Sequence, residues 1–484
     1  MQLKIDRFRN GNALRVLDLF SGCGGLSLGF KKAGYEIIGN VELDQEAARS
    51  HALNFHKGHR LFEQYAKSRN IEDTSPVDLF RDLEIEGPID QQIDIIIGGP
   101  PCQAFTRIGR AKLREINGDA EAFLNDSRSQ LYKRYLEYVR ELRPMAILME
   151  NVPDMLNYGG ANIAEFVCHD LEQYGYHCKY TLLNTAFFGL PQMRERMFLI
   201  AVHNTFAGEI TFPEPTRYIE LPRGYNGSRN VALKHIDLNN PGHFENLQLN
   251  AGLPAPVSAR EALSDLPVIT EHLTGKMKRG IKKLNTDSAY SLAEPANDYQ
   301  RLMRNWPGYG AGTGVTGSVT RILPRDYPIF RIMQPGDQYP QAIQRAEQLL
   351  ATRLNEMNIT AESDPEIYKQ LKKSIIPPYD VGKFPNKWRK METDQPSRTL
   401  MAHLGKDCYS HIHYDSDQAR TITVREAARL QSFPDGFEFS GAMNAAFRQI
   451  GNAVPPLMAE QLAVKIINLI STGIPCQINC YQPM

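Results

Sequence analysis

Between residues 15 and 202 short apolar runs alternate with segments of helical period, and this rhythm limits what the chain can fold into more than any other feature. Residues 15–20, 35–41, 93–97 and 146–149 read as strands, and residues 26–33, 44–55 and 127–142 read as helices. Strands separated by helices pair in parallel and are covered on both faces, so the expected class is α/β with a mixed, mostly parallel sheet. After Val202 the rhythm stops. Residues 206–395 are rich in Pro, Gly, Asn and polar residues and show no long period, and helical character returns at residues 423–430 and 454–471. Three parts are expected: an α/β domain over residues 1–205, an irregular domain over 206–395, and a C-terminal part, 396–484, that packs back on the first.

A chain of 484 residues fits roughly two to three domains. With 42% hydrophobic and 23% charged residues the composition is that of a globular protein. No apolar run approaches the roughly 18 residues that span a bilayer, and no signal-peptide core follows Met1. We expect no membrane association and a cytoplasmic location. The seven cysteines lack paired CxxC spacing, which suits a reducing compartment, and Cys476 and Cys480 lack a nearby histidine-cysteine partner set, so no metal is expected. The 55 basic and 55 acidic residues balance, which argues against a uniformly polyanion-binding surface but leaves room for a basic cleft. Residues 276–283 and 387–390 are the densest cationic clusters, either solvated faces or phosphate contacts.

Chemistry-bearing residues gather where the expected strands end. Pro100-Pro101-Cys102-Gln103 follows the apolar run 93–97 and pushes a thiol out of a sheet edge, where ligands of open α/β sheets bind. Asp18-Leu19-Phe20-Ser21-Gly22-Cys23-Gly24-Gly25 joins a strand to a helix through glycines that let a ligand approach the backbone. Glu42 ends the next strand, where an acidic residue accepts hydrogen bonds from a ribose. Glu150 ends a further strand and suits acid work on a ring nitrogen. Arg194 and Arg196 share one face of an extended segment and suit phosphate or carbonyl oxygens.

Taken in order, these pieces, with Glu150-Asn151-Val152, residues 192–196, residues 420–435 and Gln449-Ile450-Gly451-Asn452-Ala453-Val454-Pro455, resemble the C5-cytosine DNA methyltransferase family of bacterial restriction-modification systems. The resemblance implies a Rossmann-like class I methyltransferase fold, S-adenosylmethionine as methyl donor, double-stranded DNA as substrate and a cognate restriction endonuclease as functional companion. It implies that Cys102 adds to cytosine C6, that Glu150 bonds N3 and the exocyclic amine, and that Arg196 meets O2 with Arg194 in support. The resemblance also implies that the target base is flipped into a pocket, since C6 cannot be reached inside a duplex, and that residues 103–124 would form the loop that closes over it. The cofactor would be held by Phe20, Ser21, Gly22, Gly24, Gly25, Glu42, Pro100 and Asn452. An acidic residue near the adenine amine is Asp73, with Asp78 competing. Residues 206–395 take the place of the target recognition domain. The loop after Cys102, with threonine at 106, also resembles members that methylate a tRNA cytosine, but the Cys-Phe-Thr element those members carry is absent. A catalytically dead DNA-binding regulator would have lost the cysteine or the glycine loop, and both are present.

Overall fold

The computed structural model describes residues 1–101, 129–158, 160–275, 284–383 and 387–474. Two compact units divide the chain: residues 1–189, 194–255 and 453–484 form one, and residues 190–193 and 256–452 form the other. These limits differ from the boundaries expected at 205/206 and 395/396. Residues 206–255 join the first unit because they pack along its sheet: Tyr180 N donates to the His243 carbonyl at 3.0 Å and Glu245 N to the Tyr180 carbonyl at 2.8 Å. Of the C-terminal part, only the portion from 453 onward belongs with the first unit.

The first unit is built on strands β1 (Arg15–Leu19), β2 (Glu36–Val41), β3 (Ile95–Gly98), β4 (Ala146–Asn151), β5 (Tyr176–Asn184) and β6 (Glu195–His203). They lie in the order β2-β1-β3-β4-β6-β5. The first four run parallel, and β6 is antiparallel to both of its neighbours. β3 and β4 are buried along their whole length, which explains their unbroken apolar runs. Helices start where the chemistry of their caps dictates. Asp44 accepts the Glu46 and Ala47 amides ahead of helix Gln45–Phe55, and Ser75 and Asp78 form a reciprocal capping box on Pro76–Asp82.

Helix Pro456–Gly473 closes the unit against helix Gly25–Lys32. Tyr35 donates its hydroxyl to the Ala463 carbonyl at 2.9 Å, and Lys32 pairs with Glu460 at 2.7 Å. The stretch Met443–Gly473 is, against expectation, long and apolar enough to cross a membrane by length and composition. Within it, Leu457, Met458, Ala459, Leu462, Ala463, Ile466 and Ile470 are buried, so in the C-terminal helix the apolarity belongs to a packing face.

The second unit departs from the irregular stretch expected. Within residues 256–395 it contains helix Asp298–Arg304, the 18-residue helix Tyr339–Glu356 and helix Pro365–Ile375, while helix Val424–Leu430 stands where helical character is expected. The buried stripe of Tyr339–Glu356 is Tyr339, Ala342, Ala346 and Leu350, and its two central alanines leave little hydrophobic signal in the sequence. A core of Tyr327, Phe330, Met333, Tyr339 and Trp388 gathers around it. The cationic cluster at 387–390 is largely turned inward. Trp388 is fully buried, and the Lys390 ammonium donates to the carbonyls of Phe330 and Met333 and to the Ser416 hydroxyl at 2.7–2.9 Å. The cluster at 276–283 lies outside the described residues, as do Cys476 and Cys480.

A Cβ added at Gly29 would lie 2.5 Å from the Ala459 Cβ, the Glu460 amide and the Pro456 carbonyl. Alanine ordinarily gains about 1 kcal/mol over glycine inside a helix. Here overpacking against backbone outweighs that gain, and Gly29→Ala is expected to destabilise the protein by roughly 1–3 kcal/mol in chemical denaturation. A neutral or stabilising result would mean the two helices are not in this contact.

Burial holds His411 and His413 well below the ordinary imidazole range, at about 4, and for His413 burial and Arg420 outweigh the opposing Glu426 carboxylate. Because the folded state takes up these protons later than the unfolded chain, stability present above about pH 6.5 is lost as pH falls toward 4. Each histidine contributes up to roughly 3 kcal/mol to that loss. Thermal melts from pH 7 to pH 4 should show a progressive fall in Tm; a flat profile across that window would contradict it.

Candidate active site

The carboxyl ends of the four parallel strands share one edge of the sheet. The connection leaving β1 goes to β2 and that leaving β3 goes to β4 on the opposite side, so the gap between β1 and β3 is the position where open α/β sheets bind ligands. The Phe20–Gly25 turn, Glu42 and the Gly99-Pro100-Pro101 turn follow strand ends at this edge, and Glu150 is the last residue but one of β4.

The glycine turn needs its glycines. Gly22 and Gly24 have φ of 55° and 98°, and a Cβ at Gly24 would lie 2.4 Å from the Phe55 ring. Phe20 itself adopts φ 60° and donates its amide to the Val41 carbonyl at 2.8 Å. Glu42 shapes this turn directly: one carboxylate oxygen accepts from Gly22 N at 2.8 Å, the other from Asp44 N at 2.7 Å. Burial raises the Glu42 pKa, with the amides of Asp44 and Gly22 opposing. Each oxygen keeps a lone pair beyond its main-chain bond, so the carboxylate suits a pair of hydroxyl donors such as a ribose diol. Ser21 is 8% exposed and lies near Asn40, whose side-chain amide donates to its hydroxyl at 3.4 Å. Gly25 begins the helix, where a Cβ would lie 2.2 Å from the Val454 carbonyl.

Three features of this pocket escaped the sequence. Leu43, next to Glu42, is 69% exposed, a large apolar side chain beside a half-buried carboxylate. Asp18 is fully buried beneath the turn, accepts the Ser27 hydroxyl at 2.6 Å, and is pushed up to about 7 by burial despite that bond. Its second oxygen has no hydrogen-bond partner among the described residues. The third is the approach of Arg69, whose amide donates to the Glu42 carbonyl at 2.6 Å and pins residues 69–73 beside the pocket. In that segment Asp73 is exposed and accepts from Asn70 at 3.0 Å. Asp78 is committed elsewhere, to the Ser75 cap and to Arg81 at 2.7 Å. Buried Cys23 is no nucleophile: loss of solvent drives its thiol pKa far up.

At the second half of the edge, Gly98 of β3 pairs with Met149 of β4, which sets Gly99 beside Glu150. The Glu150 Oε2 lies 3.0 Å from where a Gly99 Cβ would stand. The Asn151 side-chain amide donates to the Pro100 carbonyl at 2.8 Å, anchoring the turn that leads to Cys102. Glu150 is 9% exposed and paired with Arg196, Nε to Oε1 3.0 Å. Arg196 also donates to the Glu195 carbonyl at 2.7 Å. Arg194 is 1% exposed; burial, then the Arg196 charge, lower its pKa, and Glu150 opposes them. Cys102 and residues 103–124 lie outside the described residues. Asn452 is exposed at the end of helix Met443–Asn452, the last residue of the second unit.

Comparison with known proteins agrees with this geometry. The chain is 41% identical to M.OihORF3336P of Oceanobacillus iheyensis, which carries a type II methyltransferase name, over 95% of this chain and 96% of that protein. It is 31% identical to the type II methyltransferase M.AgeI of Thalassovita gelatinovora, over 95% of this chain and 100% of that one. The crystal structure of a prophage-encoded protein of E. coli, described as a DNA modification methyltransferase, shares the fold with a TM-score of 0.56 at 22% identity, covering 95% of this chain and 100% of that one. The family described as C-5 cytosine-specific DNA methylase matches residues 14–468, and the chain belongs to it as a DNA (cytosine-5)-methyltransferase.

Proposed function

We propose that the protein methylates C5 of a cytosine flipped out of a specific double-stranded DNA sequence, through a covalent bond from Cys102 to C6. The observation that supports this reading is the Glu150–Arg196 pair, held at 3.0 Å at the strand edge where the Pro100-Pro101 turn begins. C5 of cytosine is a weak nucleophile. Addition of the Cys102 thiolate to C6 turns C5 into an enamine carbon, and a proton shared between Glu150 and N3 neutralises the charge that builds on the ring. Arg196 orients Glu150 and offers N–H donors to the cytosine O2, with Arg194 supporting it from behind. S-adenosylmethionine supplies the electrophilic methyl group. After transfer the C5 proton leaves to a base, the S–C6 bond breaks, and the thiolate is restored.

The residues at the first half of the edge fit that donor. Glu42 would take the ribose hydroxyls, with Phe20 and Leu43 offering apolar surface to the adenine. Gly22, Gly24, Gly25 and Ser21 would admit the chain's backbone to the ligand, with Asp73 near the adenine amine, Pro100 beside the sulfonium and Asn452 toward the methionine end. Residues 206–395 would read the target sequence, and the type II names of the relatives support a cognate endonuclease and action on DNA in a bacterial cytoplasm.

Bisulfite sequencing of DNA from cells expressing the protein should reveal 5-methylcytosine in one sequence context, absent with Cys102→Ala. Methylation of tRNA alone would overturn the DNA reading. Incubation with duplex carrying 5-fluorocytosine, whose C5 fluorine cannot be eliminated as a proton is, should trap an adduct at Cys102; no adduct would refute the nucleophile. Glu42→Ala removes two charge-assisted hydrogen bonds at about 1.5–3 kcal/mol each, so calorimetry should show S-adenosylmethionine binding weakened by at least roughly tenfold. Unchanged affinity would remove Glu42 from the cofactor site.

A further inference from the structure

Away from the strand edge, helix Ile163–Gln173 presents Glu165, His169 and Glu172 one turn apart, and His243 reaches them from the segment that lies along β5. One ligand atom each from Glu165, His169 and His243 lies within 4.8 Å of the others. Glu165 Oε1 is 2.6 Å from His243 Nδ1 and 3.8 Å from His169 Nε2. A tetrahedral ion with ligand bonds near 2.0–2.1 Å needs its donors roughly 3.3 Å apart, a spacing these distances bracket.

The far side of each donor group is held as well. Glu172 meets the opposite nitrogens of both imidazoles, His243 Nε2 at 2.8 Å and His169 Nδ1 at 3.1 Å. The second oxygen of Glu165 accepts the Tyr180 hydroxyl at 2.9 Å, and that hydroxyl accepts in turn from Asn162 at 2.7 Å. Carboxylates on the outer imidazole nitrogens are the partners that fix ring orientation and tautomer in metal-binding histidines. The backbone position of His243 is set independently by the two main-chain bonds to Tyr180 and by the turn at Gly242, φ 60°, where a Cβ would meet Glu165 Oε1 at 2.8 Å. An ordinary surface ion pair needs none of this duplication.

We propose that Glu165, His169 and His243 form a binding site for a zinc-class divalent ion, with Glu172 and Tyr180 as outer partners and the fourth position open to water. The ion would tie the segment around His243 to helix Ile163–Gln173 and so to edge strand β5. It replaces protons on the two imidazoles and takes no part in the methyl transfer.

The full-length protein, stripped with chelator and titrated with zinc chloride alone, should bind one equivalent per chain by calorimetry and gain several degrees in Tm. Cobalt(II) in its place should give the absorption of a tetrahedral nitrogen-oxygen site. His169→Ala with His243→Ala should abolish the binding and the Tm shift. Glu172→Gln, an exposed and conservative change that leaves the fold intact, should weaken binding by roughly 10–100-fold. No zinc uptake by the stripped protein, or uptake unaltered in the double variant and in Glu172→Gln, would show that the cluster is an ion-pair staple and overturn the proposal.

Discussion

The pairing of β3 with β4 is the contact on which the site depends. With Gly98 opposite Met149, the first residue beyond β3 meets Glu150, and only a residue without a side chain lets that carboxylate sit where it does. Asn151, the last residue of β4, then fastens the Pro100 carbonyl. Adjacent strand ends therefore carry the Glu150 carboxylate and the anchor of the Pro100-Pro101 turn. A slip of one residue would send Glu150 to the other face of the sheet and break both contacts at once. The apolar residues of the two strands fix that register, since every one of them is buried. Packing that looks purely structural thus sets the chemistry.

The electrostatics of this edge are not those of a stabilising feature. A nearly buried carboxylate-guanidinium pair seldom repays its desolvation, and apolar residues of similar volume would hold the sheet as well or better. Glu150 with Arg196 and the deeply buried Arg194 amount to two cations against one anion, so the edge carries a positive excess before any ligand arrives. Such an excess favours a thiolate over a thiol and a negatively charged ring over a neutral one. The first half of the edge has the opposite character: Asp18 and Glu42 both have raised pKa values under the glycine turn, as suits a sulfonium-bearing ligand.

How far the sequence reveals this depends on what kind of force holds each part. β3 and β4 announce themselves by apolar runs because both are buried along their whole length, and Asp44 and Thr423 mark helix starts because orphan amides need acceptors. Glu150 is legible at the edge where the Pro100-Pro101 turn begins once β3 and β4 are taken as parallel, whereas Arg196 reaches that edge only because β6 runs antiparallel to β4. The Gly22–Glu42 bond is not, because nothing in residue type says which donors a carboxylate will take. Helix Tyr339–Glu356 is hidden because alanines do its packing, and Lys390 reads as surface charge although three oxygen acceptors hold it in the interior. His243 pairs with residues more than seventy positions earlier, a separation at which local pattern carries no information.

The second unit illustrates the same limit through charge. Arg429 is shared between Asp265 and Asp435, Arg304 also holds Asp265, and Arg420 is clamped on Glu426, all of them nearly or fully buried. Two arginines offset two aspartates in one network, and one arginine offsets one glutamate in the other, so neither leaves a net charge. A unit made largely of short helices gains directional restraint from such networks that apolar contacts alone would not give, because each guanidinium tolerates few arrangements of its acceptors. Buried networks are also screened little by salt. The cations free to meet a polyanion must be others, such as Lys369, Lys372 and Lys373 on helix Pro365–Ile375, which has no buried residue. Fold and surface charge are thereby separated in this unit, and ionic strength acts on its exposed charges far more than on the buried networks beneath them.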